Sequence, residues 1–445
     1  MESYVNIQTA FKNRSELNEE GMAAVYSDKE YLKQLITAAI SGRLSKENIA
    51  GMKILLKPNW VLHDKTKKDE ICLRTHDAFL LAALEILLEM KPAKIVLGDA
   101  PVQGCNWNRM LSSVFIEEVN QLSEKYKVPV IIKDFRRVIY NPETNQLEQN
   151  WNAIEDFIIF DLGKRSYLEE VSDDERSPFR VTNYNPERLA ESHRKGVHKY
   201  CITRELFDAD VVITVPKIKT HQKAGMTNAL KILVGVNGDK DFLPHHRKGA
   251  LGDGGDCYPG KNPLRKVSED ILDYANTKIG KSTYKPLLHL SAALWKASRP
   301  DNEQNLAAGW YGNDTTWRMV LDINQVVLYG KSDGTLSDTV QRELYSLCDG
   351  IVAGQGNGPL KPEPLALGVV AFSNDAAFMD IVAGQLMGME VEKISLLRNA
   401  KDWLKDKLCL LTVNQKQTEI SDLEKYTVKA IMPPGWLNYD KNKKQ

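Results

Sequence analysis

Hydrophobic positions along the chain follow two spacings, one typical of buried strands and one typical of helices. Short apolar runs that end in polar residues predict strands at 52–56, 94–97, 128–132, 211–215, 326–329, 349–353 and 368–373. Apolar residues at helical spacing predict helices at 28–43, 78–90, 109–126, 264–298 and 375–387. Strands that alternate with helices predict an α/β fold with a mostly parallel sheet flanked by helices.

The same pattern divides the chain into segments of different character. Residues 1–134 and 206–400 show the strand–helix alternation and predict two halves of the core, arranged in one lobe or two. Residues 135–205 are rich in charged side chains and predict an inserted subdomain of mixed structure. Residues 240–262 form a long glycine-rich loop, a feature that tends to be functional or mobile. Residues 401–445 are predicted as a C-terminal segment with a frayed polar tail.

Composition narrows the class of protein. The 445 residues include 59 Lys and Arg against 59 Asp and Glu, which argues against a nucleic-acid binder built on overall basic charge. No apolar run approaches the roughly 20 residues of a membrane span, and the N-terminus lacks a signal-peptide pattern. We therefore expect a cytoplasmic protein, either a monomer or an oligomer. Six scattered cysteines without a C-x-x-C pair predict buried thiols and no iron–sulfur cluster.

Cationic side chains follow the buried strand 211–215. Lys217, Lys219 and His221 alternate directly after Pro216, and alternate side chains of an extended segment point to the same side. Ligands of open α/β sheets bind beyond the carboxyl ends of such strands. We therefore predict that Lys217 and Lys219 hold a phosphate or carboxylate, while a desolvated lysine would instead act as a base.

A helix start follows these cations. Thr227 and Asn228 are predicted to cap it, and its N-terminus would add donors for a bound anion.

Polar residues also follow the strands at 52–56 and 94–97. Lys57 and Asn59 flank Pro58, and Asp99 follows the second of these strands. We predict Lys57, Asp99 and His221 as catalytic residues, with Asp99 or His221 moving a proton, and Asn59 as a substrate contact. A surface turn at Lys57 and a capping or structural role for Asp99 are the alternatives.

Two glycine-rich segments suggest further contacts. In the loop 240–262, His245, His246, Asp253 and Asp256 offer nitrogen and oxygen ligands that suit a divalent metal, although their spacing matches no strict motif and a solvated loop is the alternative. The segment 354–359 contains Gly356, Asn357 and Gly358. We expect its backbone either to approach a ligand closely, with these residues as substrate contacts, or to make a tight loop. Prolines that follow exclude the helix of an ordinary dinucleotide site.

Several of these elements occur in an order that resembles a known family. They are Lys57-Pro58-Asn59, Gly98-Asp99-Ala100-Pro101, Val215-Pro216-Lys217-Ile218-Lys219-Thr220-His221, Asp349-Gly350-Ile351, Gly356-Asn357-Gly358-Pro359, and Asp380 before Met387-Gly388. The set resembles the family called domain of unknown function 362, from about residue 50 to about residue 395. The resemblance implies a cytoplasmic α/β protein with shared polar residues at strand ends, and we predict that Asp380 reaches the same cleft and contacts the substrate. Some members carry a ferredoxin-like cysteine cluster, which this chain lacks, so an electron-transfer role is not carried over.

Three functions follow as hypotheses. The first is an enzyme that acts on a small anionic molecule held by Lys217 and Lys219. The second is a metal-assisted enzyme that uses the loop 240–262, and the third is a non-catalytic module that binds an anion or a partner chain.

Overall fold

The computed structural model of the chain describes residues 2–141, 146–150, 152–173, 177–298, 308–437 and 439. Its strands are β1 (Glu2–Thr9), β2 (Lys53–Pro58), β3 (Lys94–Asp99), β4 (Val130–Asp134), β5 (Val138–Asn141), β6 (Gln146–Gln149), β7 (Phe157–Asp161), β8 (Phe179–Arg180), β9 (His193–Arg194), β10 (Val197–Thr203), β11 (Val211–Val215), β12 (Lys217–His221), β13 (Gly225–Thr227), β14 (His246–Arg247), β15 (Glu343–Asn357), β16 (Lys361–Ser373), β17 (Leu408–Val413) and β18 (Lys416–Gln417). Its α-helices are α1 (Glu19–Val25), α2 (Lys29–Ile40), α3 (Lys46–Ile49), α4 (Lys67–Cys72), α5 (Asp77–Glu89), α6 (Trp107–Met110), α7 (Ser113–Tyr126), α8 (Pro186–Ser192), α9 (Glu205–Asp208), α10 (Ala229–Ile232), α11 (Pro263–Asn276), α12 (Tyr284–Ala297), α13 (Thr316–Tyr329), α14 (Ala376–Leu386) and α15 (Ser395–Ala400).

A large mixed sheet forms the centre of the fold, with the strand order β18-β17-β1-β16-β15-β11-β2-β3-β4. Its part from β15 to β4 is parallel, and β12 also pairs in parallel with β15. The chain begins this part at β2, runs outward through β3 and β4, and returns on the other side of β2 with β11. The α/β fold predicted from the sequence is confirmed. Its strand order reverses between β2 and β11, the kind of position where open α/β sheets bind ligands.

Both faces of the parallel strands are covered, which explains their continuous apolar runs. On β2, Leu55 packs into the core on one face, whereas Ile54 and Leu56 pack into the core on the other. Helices α2, α5 and α7 contribute to the core around Ile54, and α13 and α14 contribute to the core around Leu55. The carboxyl ends of β2, β3 and β11 therefore emerge between two rigid layers.

The segment 135–205 contains short strands that pair mainly with one another. β7, β10 and β9 form an antiparallel sheet, and β5 pairs with β6. β8 pairs with β14, which lies in the glycine-rich loop 240–262. Phe160 and Tyr200 of this segment belong to the same core as Leu55, so the segment packs directly on the sheet.

The structure differs from the predicted elements in four places. The run 326–329, predicted as a strand, is the last turn of α13, because a short apolar run looks the same in a buried helix and a buried strand. The predicted helix 264–298 is divided into α11 and α12, and the predicted helix 109–126 into α6 and α7. β15 continues through the segment 354–357, which was predicted to lie in a loop. Residues 440–445 of the predicted frayed tail lie outside the described residues.

Among the described residues, no helix combines the length and apolar character that a membrane crossing requires.

Candidate functional site

Lys57 and Asp99 form an ion pair at the carboxyl ends of the neighbouring strands β2 and β3. Lys57 Nζ lies 2.8 Å from Asp99 Oδ1, and both side chains are buried. The carboxylate also accepts hydrogen bonds from the backbone N–H groups of Trp60 and Ala100, at 2.7 and 2.8 Å. A Cβ at Gly235 would lie 1.9 Å from Asp99 Oδ1, so the pair requires glycine there. Because its oxygens already accept these bonds, Asp99 has a structural role and holds Lys57 and the following backbone in place.

Lys217 belongs to a second buried ion pair. Its Nζ lies 2.9 Å from Asp349 Oδ2 and donates a hydrogen bond of 2.9 Å to the Tyr26 hydroxyl. That hydroxyl in turn donates to Asp349 Oδ1 at 2.6 Å. Lys217 and Asp349 are both 0% exposed. The charge of Lys217 is therefore neutralised inside the fold and does not face a ligand space.

Lys219 lies two residues further along β12 but has different partners. Its ammonium donates to the carbonyl oxygens of Leu73 and Pro359, the latter at 3.2 Å. No carboxylate among the described residues pairs with it. Burial, with a smaller contribution from the charges of Lys217 and Lys231, lowers the pKa of Lys219 from 10.5 to about 7.

A cavity of about 960 Å³ lies beside Lys219, next to the ends of β2 and β3. Of the residues predicted from the sequence, it brings together Asn59, Asp99, Lys219, His221, Thr227, His245 and His246. The predicted residues that do not line it are Lys57, Lys217, Asn228, Asp253, Asp256, Gly356, Asn357, Gly358 and Asp380. The cavity thus collects side chains from both halves of the core and from the loop 240–262.

Five lysines line the cavity: the buried or half-buried Lys219, Lys223, Lys231 and Lys240, and the exposed Lys285 of α12. Lys223 donates to Thr182 Oγ1 at 3.4 Å, and Lys240 donates to the carbonyl oxygen of Ala100 at 2.9 Å. Lys231 has no hydrogen bond or ion pair with any residue that the structure describes. Asp99 and Glu269 are the carboxylates on the wall, and neither forms an ion pair with these lysines within the described ranges. The wall therefore carries excess positive charge.

The buried lysines lower one another's pKa. Burial, with added repulsion from Lys240, Lys223 and Lys57, lowers the pKa of Lys231 to about 7. Burial also lowers the pKa of Lys223 and of Lys240 to about 8. All four amines therefore lose protons more readily than a solvated lysine, and a bound anion would reverse this effect.

Two histidines on the wall are held in opposite tautomers. His221 Nδ1 accepts hydrogen bonds from the backbone N–H groups of Lys223 and Ala224 at 3.0 and 3.1 Å, which places the proton on Nε2. His245 Nδ1 lies 2.6 Å from the carbonyl oxygen of Leu243, an acceptor, which places the proton on Nδ1. Burial and the nearby lysines lower the pKa of both rings, so both are neutral. His221 thus presents a donor, because its accepting nitrogen is occupied.

Two buried oxygen atoms on the wall lack partners. Asn59 Oδ1 and Thr227 Oγ1 make no hydrogen bond with the described residues. Unpaired buried polar groups cost free energy, so native proteins seldom leave them unsatisfied. Both atoms lie on the cavity wall, and a ligand in the cavity could satisfy them.

Other predicted residues support the wall from behind. The carboxylate of Asp380 accepts from the backbone N–H groups of Ala229 and Leu230 at 2.8 and 3.2 Å, and so caps α10, which carries Lys231. Asn228 precedes this helix, is fully buried, and makes no side-chain cap. The predicted capping role of Asn228 is therefore wrong: Asp380 takes it, because α14 packs against the start of α10.

The glycine segment 356–358 shapes the rim of the cavity. Asn357 is exposed and accepts a hydrogen bond from Gln222 Nε2. A Cβ at Gly358 would lie 2.0 Å from the carbonyl oxygen of Thr220, so this close approach requires glycine. The close approach is to β12, and the next residue, Pro359, lines the cavity.

The four predicted metal ligands of the loop 240–262 do not converge. Asp253 is exposed and forms an ion pair of 2.9 Å with Lys261. Asp256 is buried, and Arg247, Asp314 and Thr315 donate to its carboxylate. The two carboxylates are occupied by these partners. His246 lies instead beside Cys257 and Glu269.

Sequence reasoning missed several residues of the wall: Lys223, Lys231, Lys240, Cys257 and Glu269. Lys231 lies just after the predicted helix start, so its closeness to the predicted anion site could have been inferred from the sequence. The other four lie on segments whose packing the sequence pattern does not define. Helices α11 and α12 form the far wall, with the apolar side chains of Leu272, Leu288 and Trp295.

Comparisons with known proteins define the class. The family profile described as Domain of unknown function (DUF362) matches residues 163–385, half of the chain, and the chain belongs to this family. The match covers β11, β12 and α10, which carry much of the lysine wall.

A crystal structure of a protein from Thermotoga maritima is similar over 80% of this chain, with 12% sequence identity and a TM-score of 0.32. The chain spans 56% of the length of that protein. Among curated proteins, none matches the chain.

Proposed function

We propose that the protein is an enzyme that acts on a small molecule with a phosphate or carboxylate group. The observation that carries this proposal is the set of four lysines that face one cavity without a carboxylate partner among the described residues: Lys219, Lys223, Lys231 and Lys240. Buried like charges repel one another and lose the water that would solvate them. An anion would supply the missing partner, and a lysine ammonium binds phosphate or carboxylate as a point charge.

The substrate we propose also has an apolar part. Leu272, Leu288 and Trp295 line the wall that α11 and α12 form. A volume of about 960 Å³ is at the upper end of the range of ligand pockets, which are mostly apolar with a few placed polar groups. The lysines and Thr227 would hold the anionic group, and the apolar wall would hold the remainder.

We assign proton transfer to Lys231. A general acid or base works best when its pKa lies near the working pH, and the pKa of Lys231 is lowered to about 7. Asp99 and His221, predicted from the sequence for this task, already accept hydrogen bonds at the atoms that would take a proton. Lys231 is half-buried on the cavity wall, where a bound molecule could reach its amine.

A ligand-binding experiment tests the anion site. Inorganic phosphate and phenyl phosphate are titrated into the purified chain at constant ionic strength, with thermal unfolding and calorimetry as readouts. Both should stabilise the protein, and phenyl phosphate more strongly, because it also occupies the apolar wall; a ligand at 100 times its Kd stabilises by about 2.7 kcal/mol.

Lysine variants localise the effect. Lys231→Met and Lys219→Met should each weaken phenyl phosphate binding by about tenfold or more, equivalent to about 1.4 kcal/mol. Lys266→Met is the matched control, because Lys266 is an exposed lysine of α11 outside the cavity wall. Equal binding by all three variants would contradict the anion site.

Proton transfer is tested separately from binding. Ligands that bind are incubated with the protein in D₂O, and NMR follows exchange of their acidic hydrogens for deuterium. Exchange that Lys231→Met abolishes would support the enzyme. Tight binding of carboxylated and phosphorylated ligands without any exchange or product would instead favour a binding module.

A further inference from the structure

His246, Cys257 and Glu269 form a compact group of potential metal ligands. His246 lies in β14, Cys257 in the loop that follows, and Glu269 in α11. One ligand atom from each lies within 4.8 Å of the others. The side chains are 4%, 2% and 6% exposed, and all three line the cavity.

Local hydrogen bonds satisfy this group only in part. His246 Nδ1 is buried and has no partner among the described residues. Glu269 accepts hydrogen bonds from the backbone N–H of Gly249 at 3.2 Å and from the side chains of Cys257 and Tyr258, but no lysine or arginine within the described ranges forms an ion pair with it. A buried carboxylate without a cation is costly unless it is protonated or binds a metal.

We propose that His246, Cys257 and Glu269 bind one Zn²⁺ ion, with a fourth coordination position open to the cavity. Imidazole, thiolate and carboxylate are the ligands that zinc takes in proteins, and three protein ligands with one open position is the arrangement of catalytic sites. A thiolate and an imidazole select against Mg²⁺ and Ca²⁺, which prefer oxygen.

Distance and charge both suit this ion. Zinc–ligand bonds of about 2.0–2.3 Å place tetrahedral ligand atoms about 3.4–3.8 Å apart, so each pair of ligand atoms would have to approach by at most about 1.4 Å. A thiolate and a carboxylate together cancel the two positive charges of Zn²⁺, so the buried site would be neutral. The His246 imidazole is neutral as well, because burial lowers its pKa.

The open position faces the cavity that the lysines line, and the role of the ion there rests on the proposed function. An oxygen of the anionic substrate or a water molecule would take the fourth position. Lys223 lines the same cavity as His246, Cys257 and Glu269, so the metal and lysine sites are contiguous.

Metal titration tests the site. The full-length chain is treated with a chelator, dialysed, and titrated with Zn²⁺ and with Co²⁺, and bound metal is counted by elemental analysis. We expect one ion per chain and a sulfur-to-Co²⁺ charge-transfer absorption band. X-ray absorption of the zinc form should show one sulfur at about 2.3 Å and nitrogen or oxygen at about 2.0–2.2 Å. No bound ion, or a bound ion without sulfur, would overturn the proposal.

Variants link the ion to the named residues. Cys257→Ser should remove the charge-transfer band, and Glu269→Gln should weaken Zn²⁺ binding by more than about tenfold. Cys105→Ser is the matched control, because Cys105 is also a buried free thiol but lies off the cavity wall. Wild-type metal binding by Cys257→Ser would overturn the proposal, and circular dichroism shows that each variant is folded.

One further measurement separates this proposal from the anion site. Phenyl phosphate is titrated into the chelator-treated wild-type chain and into chelator-treated Lys231→Met. If no metal binds but the Lys231-dependent anion affinity persists, the metal proposal alone fails. If one zinc ion binds and Lys231→Met changes nothing, the metal proposal stands and the anion site fails.

Discussion

Lys217 and Lys219 lie two residues apart on β12, yet the fold uses their charges in opposite ways. Both side chains are fully buried, and burial lowers the pKa of both, but Lys217 is ion-paired with Asp349 and hydrogen-bonded to Tyr26. Lys219 has only carbonyl partners, and its pKa is lowered to about 7. Lys217 therefore contributes to the folded structure, whereas Lys219 contributes positive charge to a cavity.

The same division extends across the end of the sheet. Lys57 is paired with Asp99 beneath the cavity wall, as Lys217 is with Asp349. Lys231 has no partner among the described residues and faces the cavity. A lysine that follows a buried strand is thus no evidence of ligand binding by itself. Paired and unpaired lysines differ in whether a neighbouring strand places a carboxylate next to the amine.

The strongest test of this comparison removes a paired lysine. Lys217→Ala leaves Asp349 buried without its cation, so we expect unfolding to cost about 3–5 kcal/mol less than in the wild type. Urea denaturation measures the loss. Lys219→Met, by contrast, should change stability by less than about 1 kcal/mol while it weakens anion binding. Equal losses of stability in the two variants would contradict the distinction between a structural Lys217 and a cavity-lining Lys219.

A double variant sharpens the result. Replacing both partners, Lys217→Met with Asp349→Leu, removes the buried charges together, so stability should recover most of the loss. A double variant as unstable as Lys217→Ala would show that packing around Tyr26, rather than the ion pair, holds this part of the fold.

The strands and their polar ends could be predicted from the sequence, because buried parallel strands are continuous apolar runs. The closeness of Lys57 and Asp99 follows from this, since the carboxyl ends of neighbouring parallel strands lie at one edge. The partner of Lys217 could not be predicted. Asp349 lies 132 positions away on β15, and nothing local in the sequence marks it as the neutralising group.

The lysine wall and the metal-ligand group depend on packing that the sequence pattern does not contain. Lys231 faces the cavity because Asp380, 151 positions from Ala229, caps the short helix α10. His246 meets Cys257 and Glu269 because β14 pairs with β8 and α11 packs beside it. The predicted ligands Asp253 and Asp256 had suitable chemistry, but Asp253 pairs with Lys261 and Asp256 accepts hydrogen bonds from Asp314 and Thr315 at the start of α13.

The pH dependence of stability gives the second test. In the folded chain the pKa of Lys219 and of Lys231 is lowered from 10.5 to about 7, so above pH 7 the unfolded chain binds more protons than the folded one. These two amines should therefore contribute a rise in stability with pH from about 7 toward 10.5, on the order of 2 kcal/mol each up to pH 9, and no slope below pH 7. Urea midpoints across this range measure it.

The lysine variants serve as controls for this slope. Lys219→Met and Lys231→Met should flatten the rise, because each removes one amine that releases its proton early. Anion affinity should change in the opposite direction and fall as pH rises, since binding takes up protons. An unchanged slope in both variants would show that these two amines keep their protons in the folded chain.

The smallest effect we expect comes from Asp380, which acts on the cavity only through Lys231. Asp380→Asn keeps the shape of the side chain but puts a donor against the backbone N–H of Leu230, so one capping hydrogen bond of α10 is lost. Stability should fall by about 1 kcal/mol and phenyl phosphate affinity by about threefold. In Asp380→Asn with Lys231→Met, the affinity loss should be no larger than in Lys231→Met alone. Additive losses would mean that Asp380 affects ligand binding independently of Lys231. Asp380 would then belong to the residues that act on the ligand and not only to those that support the wall.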